Sequence, residues 1–257
     1  MAGPRMYLLA ALCLCYFLVK SQNDTAAKTN SYKGHIIFSF GLSEPLGDLA
    51  LQDYSKSYAG AANTGLAFQL ALYKPFTKNF GFCIAFHRES FFINADEIAK
   101  VNQVYVNPGY EVSVEVHQNW SASGLHMGLF AQAPLNTKKS IFLEPRLLFG
   151  LARAKCPAYT ISVDSVVPQT EPKTSVNWMS ARSNNLSGTF LIGLGFRHHA
   201  KNNWCFSLHL EYETFFSEAE FDDIQITTSN NQSATVKWDM EMKYYTFKFG
   251  IGKLFGS

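Results

Sequence analysis

Apolar and polar residues alternate along this chain with a period of two, again and again. Between Trp204 and Phe216, the residues Trp204, Phe206, Leu208, Leu210, Tyr212 and Phe216 fall on one side of an extended backbone. Cys205, Ser207, His209, Glu211 and Glu213 fall on the other. Successive side chains of a strand point to opposite faces, so such a run predicts a strand with one apolar and one polar face. Residues 186–199 repeat the pattern, with Phe190, Ile192, Leu194 and Phe196 opposed to Thr189, Gly193, Gly195, Arg197 and His199. Near the C-terminus Tyr245, Phe247, Phe249 and Ile251 alternate with Thr246, Lys248, Gly250 and Gly252. Segments 33–42, 65–73, 80–89, 121–133 and 141–153 fit less cleanly, which makes eight strands. Strands of about ten residues cross a bilayer at a tilt.

The connections alternate too. Segments 75–79, 136–139 and 200–203 are tight and polar, whereas 43–62, 90–119, 154–184 and 217–240 are long. Strand, short turn, strand, long loop is the asymmetry of an outer-membrane barrel, with turns and both termini in the periplasm and loops outside. A short helix is expected at 95–101, and Trp120, Trp178 and Trp238 fall in the long loops, which either bind partners or sugars or merely cap the barrel.

The first residues read as an export signal. Arg5 precedes the apolar run 7–19, too short to span a bilayer, and small residues before the cut favour cleavage after Ser21. The domain organisation is therefore a signal at 1–21, a short segment at 22–32 and a barrel at 33–257. Without Arg5 and Lys20 the 22 basic residues become 20, equal to the 20 acidic ones. No basic field then remains for nucleic acid. Cys83, Cys156 and Cys205 are too few, and odd in number, for a disulfide framework, so free thiols are expected. Aromatic residues reach 15% while charged ones are only 16%, and no segment after the signal has the apolar length of a transmembrane helix.

The polar faces decide which way the strands point. They mix small residues with charge, as a narrow barrel interior requires. Hairpin pairing of like faces sets Gly195 opposite His209, Gly193 opposite Glu211, Gly65 opposite His87 and Gly128 opposite Leu148. Inside, Glu89, Glu144, Arg146, Arg197, His209, Glu211, Glu213 and Lys248 would form a polar network, because isolated buried charges are costly. Outside, Phe80, Trp204, Tyr212, Phe216, Tyr245 and Phe255 fall at strand ends as aromatic girdles. The fold class is all-β, an eight-stranded antiparallel up-and-down transmembrane barrel.

The first strand runs into Ser43-Glu44-Pro45-Leu46-Gly47-Asp48-Leu49-Ala50, and Ala59-Gly60-Ala61-Ala62-Asn63-Thr64-Gly65 opens the second. Lys78-Asn79-Phe80-Gly81-Phe82 crosses the first turn, and Tyr245-Thr246-Phe247-Lys248-Phe249-Gly250-Ile251-Gly252 forms the closing strand. On these residues the chain resembles the porin-like outer-membrane β-barrel domain common in Bacteroidetes, similar in architecture to OmpA-like and OmpW-like barrels. The resemblance covers the chain beyond the signal and implies a fold rather than an activity. Asp24-Thr25-Ala26 and Asp164-Ser165-Val166 are similar to the short O-glycosylation motif of that group.

No cofactor, metal or catalytic set is expected. His87, His126, His199 and His209 face inward by parity, but none of their spacings is that of a zinc site. There is no Gly-x-Ser-x-Gly motif, and the Glu211/Glu213 pair has internal cations to neutralise it. The expected role is structural or surface-interactive, at most a narrow solute conduit. An accessory barrel of a secretion or envelope-assembly complex is the alternative, and an outer-membrane lipid-modifying enzyme comes third. Expected partners are outer-membrane lipid, the outer-membrane assembly machinery during biogenesis, and an extracellular ligand or envelope complex met through the loops.

Overall fold

The structure is a computed structural model that describes residues 34–52, 59–165, 174–178, 186–230 and 232–255. The expected signal at 1–21, the segment 22–32, Asp24-Thr25-Ala26 and Val166 lie outside the described residues. Eight long strands form the wall: β1 (Gly34–Leu46), β2 (Ala62–Pro75), β3 (Phe80–Ile93), β5 (Trp120–Ala131), β7 (Ile141–Lys155), β10 (Ser187–His199), β11 (Trp204–Phe215) and β14 (Lys243–Phe255). Each pairs antiparallel with its neighbour in that order, and β14 pairs back onto β1, so the sheet closes into an eight-stranded barrel. Among the described residues, no helix is long and apolar enough to cross a membrane.

The short turns owe their geometry to identifiable residues. Asn202 and Asn203 both take positive φ, 59° and 62°, a conformation asparagine tolerates better than most residues. The hydroxyl of Thr77 accepts the backbone N–H of Phe80 at 2.9 Å. Asn136 accepts the N–H groups of Ser140 and Ile141 through its side-chain oxygen. Beside this turn the two-residue strand β6 (Ala133–Pro134) pairs with β7.

The long connections are not irregular loops. They carry β4 (Tyr110–Gln118), β8 (Ala158–Ser165), β9 (Thr174–Trp178), β12 (Ala219–Thr228) and β13 (Ser233–Met240), which form a second sheet in the order β4-β8-β9-β12-β13. Four of them join wall strands with no more than three residues between: β4 into β5, β7 into β8, β11 into β12 and β13 into β14. The second sheet therefore continues four of the eight wall strands beyond the barrel rim. Helix α1 (Ala95–Gln103) begins at Asn94, whose side chain accepts the N–H of Glu97 at 3.2 Å, as an N-cap should. It extends two residues past the expected 101. The side chain of Gln103 then covers the outer edge of β4, donating to Tyr110 O and accepting from Val112 N, each at 2.9 Å.

The hairpin register bears out three of the expected face-to-face pairs: Gly195 with His209, Gly193 with Glu211, and Gly128 with Leu148. The fourth is corrected. His87 lies opposite Gln69 and Gly124, and Gly65 lies beside Ser90 and Phe91. The pairing runs down into the turn, with Pro75 opposite Gly81, which shifts the register by four residues and keeps each residue on its expected face.

Candidate functional site in the lumen

The outward faces form an apolar belt. Phe38, Phe40, Leu42, Leu70, Phe86, Leu125, Leu129, Phe149, Leu210 and Phe247 are each 47–56% exposed. An exposed apolar band encircling a protein is far larger than the patches water-soluble monomers tolerate, so this wall belongs in lipid. Charge appears outward only towards the rims, at Lys74 and Lys253 on the short-turn side and at Glu44, Arg88 and Arg153 on the other. On β3 the interval from Phe80 to Arg88 is about 26 Å along the strand, or roughly 20 Å of membrane after a ~40° tilt. Phe80, Trp204 and Phe255 sit at the short-turn rim, and the Lys253 ammonium lies 5.4 Å from the Trp204 ring centre. Tyr212, Phe216 and Tyr245 sit at the opposite rim, where Tyr212 and Tyr245 face each other across β11 and β14 with ring centres 5.2 Å apart.

The lumen is filled. Glu89, Glu144, Arg146, Arg197, His209, Glu211, Glu213 and Lys248 all lie inside with at most 2% of their surface exposed. They fall into layers. Nearest the short turns, Arg197 pairs with Glu144 at 2.9 Å and donates to Gln132 at 2.6 Å. Its guanidinium also meets His35, which stacks on Tyr73 with ring centres 4.4 Å apart. In the middle layer Glu211 is held between Arg146 and Lys248, the latter at 2.6 Å. Arg146 also donates to Gln69 at 2.8 Å and to the Tyr73 hydroxyl. Glycine makes room for these groups: a Cβ at Gly195 would stand 2.5 Å from the ring of His209.

The third layer holds His87, Glu89, His126, Thr189, Glu213 and Tyr244. His87 Nδ1 is 2.5 Å from Glu89 and 3.6 Å from Glu213, and His126 Nε2 is 3.4 Å from Glu213 and 2.7 Å from the Thr189 hydroxyl. Parity had placed both histidines inside, but their meeting with Glu213 from the opposite wall required the closed barrel. His35, Gln69, Tyr73, Gln132 and Tyr244 were missed as network members. The alternation in 33–42 puts His35 on the same face as Ile37 and Ser39, a signal that was available. Tyr244 lay one residue before the strand expected from 245.

Above this layer the barrel is stoppered by apolar side chains. Phe91, Trp120, Phe215, Phe221, Trp238, Met240, Met242 and Tyr244 form one buried cluster that joins the barrel mouth to the second sheet. Trp120 is fully buried and its indole N–H donates to Gly60 O at 2.8 Å, which pins the β1–β2 connection over the mouth. Of the two roles expected for the loop tryptophans, capping is the one Trp120 and Trp238 take: both are core residues, and the partly buried Trp178 packs against both Trp238 and Tyr159. Cys83, Cys156 and Cys205 are buried and form no disulfide among the described residues.

No protein-family model and no curated protein sequence matches this chain. Among solved structures it is similar to Neisserial surface protein A, at 9% identity and a TM-score of 0.44, covering 86% of this chain and 97% of that one. It is also similar to Ail, the attachment invasion locus protein of Yersinia pestis, at 12% identity and 0.44, covering 88% and 100%. A major outer membrane protein from Thermus thermophilus gives 8% identity and 0.42, covering 87% and 98%. At such identity and superposition these likenesses carry nothing about activity or ligand.

Proposed function

We propose that this chain is an integral protein of a bacterial outer membrane, of the porin-like kind its sequence resembles. In this reading the barrel is a closed anchor and the work is done by the second sheet at the cell surface. The observation that carries the reading is that the wall strands do not end at the membrane. Four of them continue into a sheet with its own tryptophan core, while the lumen below is sealed. An eight-stranded barrel has an interior just wide enough for side chains, and here side chains occupy it in successive layers. The reading assigns a surface-interaction role, no solute conduction and no catalysis, since the titratable clusters lie beneath an apolar stopper that keeps substrates out.

Orientation follows from connection length: short turns and both termini in the periplasm, the second sheet outside. Among the described residues its strand β13 pairs only with β12, which leaves a far edge for a partner strand to meet, whereas the β4 edge is covered by Gln103. The test is cysteine labelling of intact cells with a membrane-impermeant maleimide, helped by the burial of the native thiols. Thr235→Cys in β13 should label and Lys201→Cys in a short turn should not. Labelling of Lys201→Cys alone would reverse the orientation. Single-channel events from the purified wild type in planar bilayers would overturn the closed-anchor reading.

A further inference from the structure

The lumen holds four buried carboxylates, Glu89, Glu144, Glu211 and Glu213, against three basic side chains, Arg146, Arg197 and Lys248. The direct ion pairs of all three lie in the two lower layers: Arg197 with Glu144, and Arg146 and Lys248 with Glu211. The upper layer is left with two carboxylates and two imidazoles. Five of its buried polar atoms make no hydrogen bond: His87 Nε2, His126 Nδ1, Glu89 Oε1, Glu213 Oε1 and the Tyr244 hydroxyl. Unmet buried polar groups of this kind cost about 1–3 kcal/mol each, and more when charged. A concentrated negative charge surrounded by imidazole and carboxylate donors is what a divalent ion offsets.

From this arrangement we propose that His87, His126 and Glu213 bind a divalent transition-metal ion of zinc-like preference, with Glu89, now 2.5 Å from His87 Nδ1, moving aside to serve as fourth ligand. One ligand atom from each of the three lies within 4.8 Å of the others. Ligand atoms ~2.0–2.2 Å from a tetrahedral zinc stand roughly 3.3–3.6 Å apart. The near separations run one to each oxygen of Glu213, 3.4 Å from His126 Nε2 to Oε1 and 3.6 Å from His87 Nδ1 to Oε2, so the carboxylate would use both oxygens or turn to present one. Two histidines and a glutamate make a recognised zinc ligand set. Binding displaces whatever protons the donor nitrogens carry, with no change of oxidation state. The donors come from β3, β5 and β11, so the ion would tie opposite walls of the barrel together. Nothing in the spacing along the chain shows this, because His87 and His126 meet only through the pairing of β3 with β5, and Glu213 reaches them across the lumen.

The apolar stopper shields the site in the folded state, so the ion has to be offered during folding. The full-length mature barrel is refolded from urea into detergent micelles with Zn²⁺, with Co²⁺, or with a chelator, and free metal is then removed by gel filtration. The expected result is about one ion retained per chain, and a Co²⁺ visible spectrum of tetrahedral nitrogen and oxygen ligation without a thiolate charge-transfer band. His126→Gln and Glu213→Gln should each bring retention below about a tenth of an ion per chain, while His209→Gln, in the middle layer, should leave it unchanged. Wild-type barrel that retains no metal after refolding overturns the proposal. So does a thiolate band, which would place the ion at a cysteine. Equal loss in His209→Gln would do the same. Because the wild-type spectrum identifies the ligand type, the test stands even where a variant fails to fold.

Discussion

Arg197 is the group whose removal should be felt most in the lowest layer of the lumen. It is 1% exposed, pairs at 2.9 Å with Glu144, which is fully buried, and also contacts Gln132 and His35. Arg197→Met keeps much of the side-chain length and removes the charge, leaving the Glu144 carboxylate in the barrel interior without its counter-ion. Breaking a buried pair from one side costs about 3–5 kcal/mol, a hundredfold to several-thousandfold in the folding equilibrium. In the double variant Glu144→Gln with Arg197→Met no uncompensated charge is left. What remains is the lost bonding to Gln132 and His35, about 1 kcal/mol for each. The double variant should therefore be more stable than the Arg197→Met single by about 1–3 kcal/mol. The assay is equilibrium refolding in urea and detergent micelles at neutral pH, with the folded fraction read from the band that shifts on boiling. The reasoning is refuted if Arg197→Met costs less than about 1 kcal/mol, or if the double variant costs as much as the two singles added.

Three further outcomes are expected. Gly41→Val should abolish the heat-shifted band, because even a Cβ there would overlap the Phe247 carbonyl oxygen on the closing strand; a normally folding variant would show that the β1–β14 seam is looser than described. Leu70→Arg, on the lipid face midway along β2, should destabilise the barrel by about 2–4 kcal/mol in the same urea assay, whereas Thr235→Arg on exposed β13 should be near neutral. Trp120→Ala should remove about 3–5 kcal/mol of packing from the stopper, along with the bond that holds Gly60. Limited proteolysis should then cleave the β1–β2 connection faster while the barrel core survives, and an unchanged cleavage rate would count against the stopper.

Parity along each strand was enough to place Glu89, Glu144, Arg146, Arg197, His209, Glu211, Glu213 and Lys248 inside, and to put Phe80, Trp204, Tyr212, Phe216, Tyr245 and Phe255 outside at the strand ends. Which face a residue occupies is a local property, fixed by its distance in sequence from its neighbours. The existence of the second sheet was partly legible as well. Residues 110–118 read YEVSVEVHQ, with Val112, Val114 and Val116 alternating against Glu111, Ser113 and Glu115. Such a strand gains stability only from its partner β8, some fifty residues on, so the segment alone could not show that it would pair.

Contacts across the lumen are of another kind. Arg197 finds His35, and Glu213 finds His87, because closure of β14 onto β1 bends eight strands round a common axis and sets each at a fixed height. The height depends on every turn and bulge in between, and the shift at Asn63/Leu66 is one that strand parity does not register. The chain's alternation thus determined which residues share an interior. Only barrel closure, acting through register summed around the whole wall, decided which of them touch.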